Sequence, residues 1–93
     1  MSKKYGSNVD TNQKEIVRLF RALGCSVVHT HNAGSGFPDL VVGHNAVTVL
    51  VEVKSKGGKL NEKQVKFFEA FTGACVVVYD EEDVNRVFNV YFR

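Results

Sequence analysis

Tryptophan is absent from this chain, and its 93 residues include one proline, one methionine and two cysteines. Cys25 and Cys75 each sit in an apolar run. One distant pair makes neither a disulfide framework nor a Cys-x-x-Cys zinc pattern, so both are expected to be reduced, buried and structural. No apolar stretch approaches the roughly 20 residues that cross a bilayer. Residues Met1 to Asn8 lack the apolar core of a signal peptide. A soluble, cytoplasmic chain without a membrane partner is expected. A dominant charge is lacking too, since 12 Lys and Arg against 10 Asp and Glu leave +2. The distribution is less even. Four acids sit together at Asp80-Glu81-Glu82-Asp83, and residues 1–79 hold ten basic against six acidic side chains, or +4. That suits a nucleic-acid partner without demanding one. A hydrophobic content of 44% suffices for a core, and the length fits one domain.

Residues 1–9 are polar and read as a flexible N-terminal arm, with a single domain over 10–93. Asp10 or Thr11 can cap a helix running to about Leu23, because Ile16, Leu19, Phe20 and Leu23 share one helical face and Gly24 supplies a stop. Cys25 to Thr30 reads as a strand. Asn32 to Pro38 is a loop by composition. Asp39 to Val42 and Ala46 to Lys54 read as two strands of a hairpin turning at Gly43-His44-Asn45. After a glycine-lysine loop, Asn61 and Gln64 form a capping-box pattern for a second helix that ends near Thr72-Gly73. Ala74 to Tyr79 is an apolar strand, and Asp80 caps a last helix with an acidic first turn. Phe88 to Phe92 fits either the end of that helix or a strand. Strand 46–54, helix 61–72 and strand 74–79 form a βαβ unit, so those two strands should be parallel. The expected class is α/β, a small mixed β-sheet flanked by helices.

The strand from Val47 to Lys54 carries the strongest chemical signal. Valines 47, 49, 51 and 53 share one face; the other holds Thr48 and Leu50, then Glu52 and Lys54, roughly 7 Å apart along the strand. Taken alone, this is either a site or a surface ion pair at a strand end. Asp39 opens the partner strand. With the turn centred at 44, Asp39 falls opposite about residue 49, so a bulge or tilt is needed to bring it beside Glu52. Two converging carboxylates repel each other unless a cation neutralises them. Asp and Glu oxygens suit Mg²⁺ or Mn²⁺, and a nearby lysine stabilises developing negative charge. Such a set can hydrolyse a phosphodiester.

Gly36-Phe37-Pro38-Asp39-Leu40, followed by Glu52-Val53-Lys54, resembles the PD-(D/E)XK signature of restriction-endonuclease-like nucleases. The Gly-x-Pro-Asp-Leu form, the small size and Gln64 in the next helix are similar to the VRR-NUC (virus-type replication-repair nuclease) family over about residues 10–80. That resemblance implies a Mg²⁺- or Mn²⁺-dependent, structure-specific DNA endonuclease acting on branched DNA such as Holliday junctions. The family includes free-standing phage proteins that act as homodimers; such a member would work in the host cytoplasm. Asp39, Glu52 and the Val53 carbonyl would bind metal, and Lys54 would act on the water or the phosphate. The family also uses a glutamate from the first helix, and Glu15 is the one available. At the ~100° per residue of a helix, Glu15 lies about 90° from the apolar stripe. It can instead pair with Arg18 in solvent. Gln64 is either a cap reaching back to Asn61 or an amide directed at the site lysine or DNA backbone. Ser35, Lys56, Lys59 and Lys63 are candidate DNA contacts, helped by glycines that let backbone approach phosphate. His29, His31 and His44 have no zinc spacing.

Overall fold

The computed structural model describes residues 3–93, with side chains from Asn12 onward. Helix α1 (Lys3–Ala22) begins well before the Asp10 or Thr11 start read from the sequence. Most of the expected arm is therefore helical backbone, and the side-chain cap at residues 10–11 lies outside the described side chains. Gly24, at φ +91°, ends the helix, with Cys25 N–H donating to the Phe20 carbonyl at 3.1 Å.

Strands β1 (Ser26–His29), β2 (Leu40–His44), β3 (Val47–Val53) and β4 (Cys75–Val78) form one sheet in the order β1-β2-β3-β4. The first two pairings are antiparallel, and β3–β4 is parallel across helix α2 (Glu62–Ala70), as a βαβ unit requires. Asn61 caps α2 through the full capping box, and Asp80 caps α3 (Glu81–Val87) by accepting from Asp83 N–H. Phe88–Phe92 continues from α3 as a π-helical turn, which settles that segment as helical. Helix α2 stops at Ala70, two residues before the expected end.

One core explains the sheet's periodicity. Leu40 and Val42 pair with Val51 and Val49, so these four side chains share a face. Against it pack Ile16 and Phe20 of α1, Val84 and Val87 of α3, and Phe92. Helix α2 crosses the opposite face and buries no residue fully. Both cysteines are free, Cys25 buried and Cys75 half-buried. Among the described residues no helix is long and apolar enough to cross a membrane.

Candidate active site

The hairpin turn decides where Asp39 lies. Asn45 and Ala46 both have positive φ, +54° and +66°, the signature of a two-residue turn whose twist suits a hairpin. The turn is therefore centred between 45 and 46, not at 44. Leu40 pairs with Val51, and one further step brings Asp39 abreast of Glu52 without a bulge. Asp39 Oδ2 accepts a hydrogen bond from Val53 N–H at 3.0 Å. The preceding loop is held on both sides. Thr30 Oγ1 and N–H donate to the carbonyls of Pro38 and Asp39, both at 2.8 Å. Phe37 meets Phe67 of α2 edge-on at 5.2 Å.

Glu52 is 2% exposed. Its Oε2 accepts from Gln64 Nε2 at 2.9 Å and lies 3.5 Å from Lys54 Nζ. Its Oε1 is buried without any partner. Burial pushes the Glu52 carboxyl up to about 7, the Asp39 charge adds to the rise, and Lys54 opposes it. Gln64 makes the expected cap on Asn61, but the other end of its amide goes to Glu52 and not to Lys54. Its Oε1 accepts from Asn61 N–H at 2.9 Å while Nε2 faces Glu52, so one rotamer does both.

Asp39, Glu52, Val53, Lys54 and Gln64 line one cavity of about 330 Å³, joined by Asn12 and Ser55. Glu15 is not among its walls. Its two oxygens accept from Arg18 at 3.0 and 2.6 Å, its side chain is half exposed, and the Arg18 bond lowers its pKa. Of the two placements open to Glu15, the structure shows the Arg18 pair and does not bring Glu15 to this cavity. The first helix instead offers Asn12, whose Nδ2 donates to the Lys54 carbonyl at 2.9 Å. The signal for Asn12 was in the sequence: counting back four from Ile16 puts a polar side chain on the buried stripe. Ser55 had no signal beyond following Lys54.

The candidate DNA contacts Ser35, Lys56, Lys59 and Lys63 are all exposed. Gly36, read as a close approach for phosphate, faces protein instead. A Cβ there would lie 2.3 Å from the Lys63 carbonyl oxygen, so the loop backbone is pressed against α2. Gly58 is held by the Tyr79 hydroxyl, which donates to its carbonyl at 2.8 Å. His44 packs 5.2 Å from Phe88 and 5.9 Å from Phe92 and is structural. His29 and His31 line a shallow cavity of about 170 Å³ with Gln13 and Lys14.

The donor set fits a small hard dication. Two carboxylates converge, one holds a buried oxygen with no partner, and Val53 adds backbone beside them. Among the described residues no group of three or more His, Cys, Asp or Glu gathers anywhere. Backbone oxygen, water and substrate would have to complete the coordination.

Residues 3–80 match the VRR-NUC domain family. A solved structure titled "VRR_NUC domain" superposes with a TM-score of 0.75 at 29% identity, covering 90% of this chain and 97% of its own. A comparison with curated proteins finds no match. The chain has a nuclease-type fold and belongs to the VRR-NUC domain family.

Proposed function

We propose that this chain is a divalent-cation-dependent DNA endonuclease that hydrolyses phosphodiester bonds in branched DNA such as Holliday junctions. The observation that carries this reading is the meeting of Asp39, Glu52 and Lys54 in one cavity at the end of β3. Asp39, Glu52 through its unpartnered Oε1, and the Val53 carbonyl would hold Mg²⁺ or Mn²⁺. The cation would supply Lewis acidity toward the phosphate and a lowered pKa for water. Lys54, 20% exposed at the cavity wall, would orient the water or steady charge developing on the phosphate. Gln64 holds Glu52 in place, and Asn12 ties the Lys54 backbone to α1. Ser35, Lys56, Lys59 and Lys63 would contact phosphates flanking the cut.

A homodimer belongs to this reading, because a four-way junction has two-fold symmetry and paired cuts need two related sites. Phe88 packs inward against His44, so it is a poor candidate for the interface. Val90 and Tyr91 are exposed beside the half-buried Val76 and Val77 of edge strand β4 and are better candidates. Tyr91→Glu should then halve the mass seen by sedimentation.

The test is cleavage of a labelled four-way junction beside linear duplex, splayed arm and flap, with Mg²⁺, Mn²⁺ or EDTA. Paired symmetric cuts lost with EDTA and in Lys54→Ala support the reading. Cleavage of flaps or nicked duplex alone keeps the nuclease and removes the junction. Binding without cleavage of any substrate would favour a non-catalytic DNA-binding domain.

A further inference from the structure

The N-cap of α2 and the active-site glutamate share one side chain. Gln64 N–H donates to Asn61 Oδ1 and Asn61 N–H donates to Gln64 Oε1, both at 2.9 Å. The other end of the same amide, Nε2, donates to Glu52 Oε2 at 2.9 Å. An amide has two ends of nearly equal shape and opposite hydrogen-bonding sense. Turned over, Gln64 would set its oxygen against a carboxylate and its NH₂ against an N–H. The cap therefore decides which end Glu52 meets.

We propose that Asn61 is a positioning residue for the divalent-cation site, acting through Gln64 on Glu52. This rests on the cation-dependent reading above. With Gln64 and Lys54 both on Oε2, Oε1 is left as the oxygen free for a cation. Helix α2 buries no residue fully, whereas α1 and α3 are anchored by Ile16, Phe20, Val84 and Val87. Capping consequently matters more to the first turn of α2 than to helices held by a core. Losing the Asn61 side chain frees that turn, and the Gln64 amide loses its fixed direction.

The test combines Mn²⁺ calorimetry with NMR of the Gln64 side-chain amide in metal-free protein. Wild type, Asn61→Ala, Asn61→Asp, Gln64→Ala, the double variant Asn61→Ala/Gln64→Ala, and Val65→Gly are compared. Val65→Gly weakens α2 outside the capping box. Asn61→Ala should weaken Mn²⁺ binding roughly tenfold, the scale of partners that orient a metal ligand. Its Gln64 amide signals should collapse toward free-amide positions. Asn61→Asp, which keeps the acceptor, should restore both. Val65→Gly should leave Mn²⁺ affinity within about twofold, and Asn61→Ala should add nothing in the Gln64→Ala background. Equal losses in Asn61→Ala and Val65→Gly, or additive losses in the double variant, would overturn the inference while keeping the cation site. A wild type that holds the amide rigid and binds no Mn²⁺ would overturn the cation reading, and Asn61 would then be a helix cap alone.

Discussion

Val51 and Glu52 are neighbours in β3 and nearly equally hidden, 0% and 2% exposed. Val51 faces the core made by α1, α3 and Phe92, within the main apolar cluster. Glu52 faces α2, with a like charge at Asp39, a cation at Lys54, and an oxygen without a partner. One face of the strand holds the fold together. The other holds a charge that the fold alone gives no reason to bury, since an apolar side chain would cost less. The difference marks the Glu52 face as the candidate site, on a strand that is structural along its other side.

The sharpest break between the faces should come from substitutions one residue apart. Glu52→Gln and Lys54→Ala should each lower cleavage by roughly 10³-fold, and Glu52→Gln should be at least as stable as wild type at neutral pH without cation. Val51→Ala should do the reverse, costing about 2 kcal/mol in denaturant titration while cleavage by the folded fraction persists. Glu52→Gln that unfolds the chain would place both faces in one structural role.

The next expected effect is a pH dependence. The Glu52 carboxyl sits at about 7 when folded, against 4.5 for an ordinary glutamate. Between those values the folded chain keeps a proton that the unfolded chain has released. In this window metal-free stability falls as pH rises, by on the order of 3 kcal/mol in all, and the contribution is fully present only below the unfolded value. Thermal melts from about pH 4.5 to pH 8 should show this slope, and Glu52→Gln should remove it. On the proposed reading saturating Mg²⁺ would bind the ionised form, so it should raise Tm more at about pH 8 than at about pH 5.5.

Gly36→Ala strikes the loop that carries Asp39 to the Glu52 face. Its φ of +79° and the Lys63 carbonyl at 2.3 Å from a built Cβ leave no room for a methyl group. A loss of about 2–3 kcal/mol is expected, with cleavage reduced because the loop carries Asp39. The smallest effects separate two residues of α1. Asn12→Ala should cost cleavage about tenfold, and Glu15→Gln should stay within about twofold. The reverse order would restore Glu15 to the site.

Much of this arrangement was legible in the sequence. The alternating valines of β3, the apolar stripe of α1, the parallel β3–β4 pair and the capping box follow from side-chain period and turn chemistry. The register between Asp39 and Glu52 was not. It depends on Ala46 adopting positive φ, a state that alanine does not advertise, while Gly43 nearby invites a turn and instead stays in β2. The orientation of Glu15 was hidden for a related reason. A residue beside an apolar stripe can turn toward the sheet or toward solvent, and Arg18 at i+3 draws it outward. Asn12 lay on the stripe itself, where a polar side chain needs a partner.

The most direct measurement is anomalous diffraction at the manganese edge from crystals grown with Mn²⁺ near pH 8. A peak is expected between the carboxylates of Asp39 and Glu52 and the Val53 carbonyl, with no peak there in Glu52→Gln crystals. A wild-type protein that cleaves DNA in the same Mn²⁺ buffer, yet shows its manganese elsewhere or none between these residues, would contradict it.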